Sequence, residues 1–423
     1  MKKYILTFLI FFLSFVCINS ATINAKTSKP PSVSADGAIL MDAKTGKVLY
    51  EKNINKPYPP ASTTKIMTAL LTLENCNLDD EVVVGKKPPL ADGSKIFIHE
   101  GEKLKVKDLL YALLLESAND AAEALAEHIG GSINDFSKLM NKRAKELGCT
   151  NTNFVNPNGL YNAKHRTTAQ DLALIMKEVS QYEDYRKISN TITYKIKPTN
   201  KSKKERPLWN KNKLVQQNSK YYFKGCNGGK TGYTTQSQHS YVVSANRGDF
   251  QLIVVLIHDS KKTFFEDSVN LLNYGFNNFE LIKMYSRGDI VTAYNEKDLS
   301  LNLIARDDFY YIKEKINPST AILNLEKKNL NSISFHKGDT ILNAQVLLNN
   351  NNNVGTLNLA SDRNHETSIF KINSENKLIF FTIFVVLFLI FMVSIIRFRK
   401  KLKEKNSNVS IFINSIKEIH IRP

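Results

Sequence analysis

Pro57-Tyr58-Pro59-Pro60-Ala61-Ser62-Thr63-Thr64-Lys65-Ile66-Met67-Thr68-Ala69-Leu70 sets three prolines ahead of an apolar, helix-competent run that continues to Leu73. Proline breaks the preceding segment and is tolerated only in the first turn of a helix, so a helix starts here with Ser62 near its N-terminus. Ser62 and Lys65 are three positions apart, which puts a hydroxyl and an amine on one helical face. Upstream, residues 38–51 read as a hairpin, two short apolar runs around a turn that carries Gly46. Downstream, 106–115, 118–129, 133–147 and 168–179 have helical patterning, and 241–245 with 251–257 form a second hairpin around Asn246-Arg247-Gly248-Asp249. Helices clustered between strands from both ends of the region predict an α+β domain with a mainly antiparallel sheet, over residues 30–285.

Beyond Tyr274-Gly275-Phe276 the pattern changes to short alternating stretches such as 344–348 and 356–359, with Asn349 to Asn353 as a turn. This predicts a small all-β domain over 286–365, joined by a polar linker to a last apolar segment. The chain has 423 residues, enough for two or three domains, and its 42% hydrophobic and 23% charged residues with 18 Gly and 12 Pro exclude a disordered or collagen-like chain.

Both ends are apolar. Met1-Lys2-Lys3 precedes 15 uncharged residues, 4–18, and then Ser20, Ala21 and Ala25, the order of a secretory signal peptide over 1–25. As a helix that run covers only ~22 Å, short of the ~30 Å hydrocarbon core. Residues 378–396 contain only Thr382 and Ser394 as polar members and span ~28 Å, long enough for a transmembrane helix. Arg397-Phe398-Arg399-Lys400-Lys401 comes next, so the positive-inside bias puts the C-terminus in the cytoplasm and the body outside, tethered at its C-terminal end. The tail, 397–423, carries eight cations against Glu404 and Glu418, and its run 409–421 is expected to lie along the inner membrane face. Of the net charge of +18, this tail holds +6. Nothing in the rest resembles an Arg- and aromatic-rich nucleic-acid module. Cys76, Cys149 and Cys226 remain after the leader, an odd number without C-x-x-C spacing, and the eight histidines show no paired ligand pattern, so no metal is expected.

Two more short motifs belong with Ser62 and Lys65. Ser117-Ala118-Asn119 offers a second hydroxyl and a carboxamide, and Lys230-Thr231-Gly232 places a cation beside a glycine that lets a substrate backbone approach. Each is cheap alone. Lys44-Thr45-Gly46 and Ser244-Ala245-Asn246 are second copies, demoted because each falls in or beside a hairpin turn and out of order. The ordered set, with 52 positions from Lys65 to Ser117 and 111 from Asn119 to Lys230, carries the signal.

At these residues the chain resembles the serine D-Ala-D-Ala carboxypeptidases among the low-molecular-mass penicillin-binding proteins. The likeness extends to Glu116-Ser117-Ala118-Asn119-Asp120-Ala121-Ala122, Asn156-Pro157-Asn158-Gly159-Leu160 and Lys230-Thr231-Gly232-Tyr233-Thr234, and more weakly to the strands after Gly338-Asp339. It implies a β-lactamase/transpeptidase-like domain and a hydrolase that removes the terminal D-Ala from peptidoglycan stem peptides, without a cofactor. It implies β-lactams as covalent inhibitors and the cytoplasmic membrane as the anchoring partner, with no nucleic acid. Ser62 would form the acyl-enzyme. Lys65 would be the general base, which requires a neutral amine. Lowering a lysine from ~10.4 toward ~7 takes about 4–5 kcal/mol, so burial and a second cation, Lys230, must supply it. Ser117 would relay a proton, Asn119 would hold the substrate amide, and the backbone N–H groups of Ser62 and Tyr233 would form an oxyanion hole. Thr231 with Lys230 would bind the terminal carboxylate.

Two features depart from the family. Ser237-Gln238 replaces its Ala-Gly, and Phe264 stands where an arginine is usual, leaving Lys211, Lys261 or Lys262 as substitute cations. A class A β-lactamase would need a glutamate-bearing loop, and 150–162 contains no Glu or Asp. A non-catalytic wall-binding scaffold is the alternative from another class. His128 and Cys149 are expected to pack, and His239 to touch the rim of the site.

Overall fold

The computed structural model describes residues 29–296, 299–316, 320–348, 352–367 and 374–419, so the leader expected at 1–25 lies outside them. The first hairpin is β1 (Gly37–Asp42) with β2 (Val48–Lys52). In its turn Asp42 Oδ2 accepts from both the N–H and the hydroxyl of Thr45, at 2.6 Å each, and Gly46 takes φ 76°, which suits glycine. Lys44-Thr45-Gly46 is therefore turn chemistry. Next, Ala61–Thr64 is a single 3₁₀ turn that runs into α1 (Lys65–Asn75). The short strands β3 (Glu81–Val83) and β4 (Lys103–Lys105) pair before α2 (Val106–Tyr111). The predicted helix 106–115 does not stay regular: Ala112–Glu116 widens into a π-helical turn.

The helical half continues with α3 (Asn119–Gly130), α4 (Ile133–Glu146), α5 (Ala169–Val179) and α6 (Glu183–Asn190). Ser132 and Thr168 cap α4 and α5, each accepting from the N–H three residues on. A small hairpin, β5 (Thr193–Ile196) and β6 (Arg206–Trp209), leads to β7 (Cys226–Thr234), β8 (Gln238–Arg247), β9 (Phe250–Asp259) and α7 (Phe264–Asn278).

The main sheet has the order β2-β1-β9-β8-β7, antiparallel throughout. Its central strands are buried on both faces, which is why β9 reads as an unbroken apolar run rather than an alternation. Ile39, Met41, Val242, Ile253, Val255 and Ile257 face α1 to α6. Leu40, Tyr241, Val243, Leu252, Val254 and Leu256 face Leu271, Leu272 and Phe276 of α7. The result is a sheet between two helical layers, with β7 as one edge.

The remaining strands are β10 (Phe279–Tyr285), β11 (Ile290–Glu296), β12 (Leu299–Ala305), β13 (Phe309–Glu314), β14 (Ile322–Leu325), β15 (Thr340–Leu348) and β16 (Asn352–Ser361). β10 pairs with β13, and the others form a sheet in the order β11-β12-β16-β15-β14. Asn352 and Asn353, expected in a turn, already belong to β16, while 349–351 lie outside the described residues. Backbone contacts divide the chain into two units, one running to Thr292 and including Ile304–Glu326 and Leu342–Ala360, the other made of Ala293–Leu303, Lys327–Ile341 and the chain from Ser361 onward. All candidate site residues lie in the first.

The last element, α8 (Ser374–Ile419), holds a stretch, Ile379–Lys403, long and apolar enough to cross a membrane. Its large apolar side chains are open, Phe384 and Phe381 among them. The helix does not end near residue 396 but continues unbroken through most of the basic tail, including residues 409–419. No Gly or Pro interrupts it, and Lys400-Lys401-Leu402-Lys403-Glu404-Lys405 is rich in helix formers.

Candidate active site

The 3₁₀ turn decides the geometry of the first motif. Three residues per turn nearly eclipse positions i and i+3, more closely than an α-helix does. Lys65 Nζ accordingly lies 3.0 Å from Ser62 Oγ. The same amine donates to Asn119 Oδ1 and to the backbone oxygen of Asn158, both at 2.7 Å. Lys65 is 0% exposed, and none of its bonding partners is a carboxylate. Burial pushes its pKa well below the ordinary lysine value, and the charges of Lys230 and Lys211 push the same way against Asp120 and Glu123.

Asn119 starts α3, and its amide is held by the loop before it: Nδ2 donates to Asp92 O at 2.5 Å and the backbone N–H to Ser94 O at 2.6 Å. That loop is tied down by Asp120, whose carboxylate accepts from the N–H groups of Ile96 and Ile98. Ser117 sits at the junction after the π-helical turn with φ 62°, a left-handed conformation rare for serine, and is buried. Non-glycine residues in this region concentrate at functional sites, and Ala61, beside Ser62, is another, at φ 50°.

On the opposite side β7 packs against the 3₁₀ turn. A Cβ on Gly232 would lie 2.7 Å from Ser62 N, so only glycine leaves that N–H open. Lys230 is buried, donates to Thr231 O at 2.8 Å, and is lowered to about 7 by burial and by the charge of Lys211. Thr231 is partly open and Tyr233 is 56% exposed, its ring 4.5 Å from that of its cross-strand partner His239. Ser62, Lys65 and Asn119 are thus joined by hydrogen bonds, Gly232 abuts Ser62, and Lys230 acts on Lys65 through its charge.

The departures have physical accounts. Gln238 takes φ 52°, a conformation glycine would adopt freely, and its Nε2 donates to Thr235 O across the β7–β8 turn. Ser237 is held by Thr234, whose hydroxyl donates to Ser237 Oγ at 2.7 Å. Phe264 is buried against Tyr241, His239 and Phe265 and belongs to the core. Among the three candidate cations Lys211 is the one whose charge reaches both Lys65 and Lys230, and Glu116 fixes it through its backbone oxygen at 2.8 Å and its carboxylate at 3.0 Å.

His165 supports the site although nothing in the sequence singles it out, and Thr64, Gly159 and Glu116 act through contacts that their motifs do not state. His165 Nδ1 accepts from Val155 N–H at 3.1 Å, so its Nε2 carries the proton and donates to Thr64 Oγ1 at 2.9 Å. Burial and the neighbouring Arg166 lower His165 to about 4, which keeps this neutral tautomer in place. Thr64 in turn donates to Ala61 O. Gly159, at φ 86°, packs so closely that a Cβ would lie 1.8 Å from that same oxygen. Glu116 also accepts from the N–H of Trp209, which binds the β5–β6 hairpin beside Ser117.

The chain has relatives among known proteins. A family model described as D-alanyl-D-alanine carboxypeptidase matches residues 24–261, and one described as the penicillin-binding protein 5 C-terminal domain matches 279–367. The chain is 35% identical over 305 residues to the D-alanyl-D-alanine carboxypeptidase DacF of Bacillus subtilis, covering 70% of this chain and 77% of that one. It is 31% identical over 345 residues to DacA of Haemophilus influenzae, covering 76% and 84%. The crystal structure of penicillin binding protein 5 from Haemophilus influenzae superposes with a TM-score of 0.70 at 29% identity, over 80% of this chain and 99% of that one.

Proposed function

Since the chain belongs to the serine D-alanyl-D-alanine carboxypeptidase family, whose model matches more than half its length, we propose that it removes the terminal D-Ala from peptidoglycan pentapeptide stems through an acyl-enzyme on Ser62. The observation that carries this reading is the hydrogen bonding of Lys65. A neutral amine has two protons to donate and one lone pair. Asn119 Oδ1 and Asn158 O are carbonyl oxygens that can only accept, so they take the two protons. Ser62 Oγ is the one partner able to donate, and the lone pair is left facing its proton. Lys65 then takes that proton as Oγ attacks the penultimate D-Ala carbonyl.

The other roles are those that the family resemblance implies. Lys230 keeps Lys65 uncharged and with Thr231 receives the substrate carboxylate, Lys211 adding to the positive field. Ser117 passes the proton to the leaving amine, and Asn119 holds the stem-peptide amide. The N–H groups of Ser62 and Tyr233 receive the developing oxyanion. β-Lactams, which carry a comparable carbonyl and carboxylate, acylate Ser62 in the same way. The division into a catalytic domain, read as 30–285, and a β domain, read as 286–365, is supported in outline by the two family matches, of which the second begins at residue 279. The leader read over 1–25 and the apolar stretch of α8 support an extracytoplasmic catalytic domain anchored at its C-terminal end, with 397–423 in the cytoplasm.

Full-length protein in detergent should be labelled covalently by a tagged penicillin and should release D-Ala from a pentapeptide, and Ser62→Ala should do neither. Label retained by the variant would remove Ser62 from the mechanism. Gly232→Ala is expected to slow acylation about 100-fold, the cost of obstructing one oxyanion-hole donor, and to lower the melting temperature as well, because the added Cβ meets the backbone of the 3₁₀ turn. Acylation near the parent rate would show that the Ser62 N–H is not used.

A further inference from the structure

Helix α3 carries Asn119 and, one turn on, Glu123 on the same face. Asn119 touches Lys65 directly, whereas Glu123 reaches it through the loop that holds Asn158. Glu123 Oε1 accepts from Asn158 Nδ2 at 2.8 Å. Asn158 is 1% exposed, and its side chain is fixed at both ends, because its Oδ1 accepts from Leu160 N–H at 3.0 Å. The backbone oxygen of this residue is the acceptor 2.7 Å from Lys65 Nζ, and it stands 3.5 Å from Ser62 Oγ. Any displacement of Asn158 therefore moves the carbonyl that decides where the Lys65 lone pair points. The stretch 150–162 has no acidic residue of its own, and α3 supplies one.

We infer that Glu123 is a positioning residue for Lys65: held against Asn158 it fixes the carbonyl beneath the amine, and so the direction in which the amine faces Ser62. This rests on the reading of Lys65 as the base. The charged groups facing Glu123 are Glu127 and Asp120 on its own helix, Asp92 on the preceding loop, and Lys65 on α1. Burial first, and then the three acids, raise its carboxyl to about 7 against the Asn158 hydrogen bond. Once ionised, Glu123 favours the charged form of Lys65, so it delays proton loss from the amine.

The test is the rate constant for penicillin acylation between about pH 5 and pH 10 for the full-length parent, Glu123→Gln and Glu123→Ala, each with its melting temperature. Glutamine keeps an acceptor for Asn158 and drops the charge, so its profile should depart from the parent's only where Glu123 is ionised in the parent, from about pH 7 upward, the upper part of the rise moving to lower pH. Alanine drops both, and the plateau should fall about tenfold, with most of that loss recovered in the glutamine variant. A Glu123→Gln profile that superimposes on that of an active parent from about pH 7 upward overturns the inference while leaving the Ser62 reading intact. So does an alanine variant as fast as the parent. A parent that is not acylated at any pH overturns the Ser62 and Lys65 reading and the inference with it. Should the alanine variant fail to fold, the glutamine profile decides alone.

Discussion

Lys65→Met is expected to lower the rate constant for penicillin acylation about a thousandfold, with Ser62 in place and the protein folded. Methionine keeps much of the apolar stem that packs against the core and removes both the base and the donor. It also leaves Asn119 Oδ1 and Asn158 O without their partner, so a loss of about 1–3 kcal/mol in stability accompanies the rate effect and must be measured beside it. The pH profile separates the two. In the parent, acylation rises as Lys65 loses its proton, at a pH depressed far below that of ordinary lysine, and declines from about 7 upward as Lys230 gives up the charge that attracts the carboxylate. The methionine variant should lack the rising limb. A loss of less than tenfold, or a variant with the parent's acid limb, would dismiss Lys65 as the base.

Arg206→Met should produce the largest fall in stability, about 3–5 kcal/mol. Glu102 is completely buried, and Arg206 meets it with two hydrogen bonds at 2.7 and 3.0 Å, with Thr199 and the His99 N–H satisfying the remaining lone pairs. Burial alone would raise the Glu102 carboxyl, but these partners outweigh it and hold it below the usual range. The stabilisation is thus present above the unfolded carboxyl value of about 4.3 and disappears as pH falls through the folded one. Without Arg206 burial wins and the sign reverses, so the deficit of the variant should shrink from pH 7 to pH 4.5. Replacing Glu102 by methionine as well should recover most of the loss, since no unpaired charge remains. Urea denaturation at the two pH values checks this; a deficit under 1 kcal/mol, or one equal at both, would show the pair to be dispensable. The site is affected too, because the β5–β6 hairpin that Arg206 anchors brings Trp209 and Lys211 to Glu116.

The hairpins and most helices were legible because burial leaves a periodic trace: two-sided burial in β9, capped amphipathic runs in α4 and α5. Ser62 and Lys65 were legible as a spacing, but not the 3₁₀ turn that aligns them, since Ala61–Thr64 has no composition that separates it from the start of an α-helix. The π-helical turn before Ser117 is equally silent within a run of leucines. Two kinds of partner leave no trace at all. A backbone acceptor such as Asn158 O has no letter in the sequence, and a pair such as Glu123 with Asn158, separated by 35 positions, exists only after folding. The extent of α8 was underestimated for a simpler reason: apolarity marks where lipid is expected, not where helical backbone stops.

The contact between Gly159 and Ala61 O, with His165 and Thr64 tied into the same oxygen, has an energetic corollary. The turn that carries Ser62 and the stretch of chain whose Asn158 O holds Lys65 cannot shift independently, because no room exists even for a methyl group between them. The Ser62–Lys65 arrangement is therefore assembled when the polypeptide folds rather than when a ligand arrives. Affinity for the stem peptide need not be diverted into ordering the catalytic groups, and preorganisation of this kind is retained for every encounter.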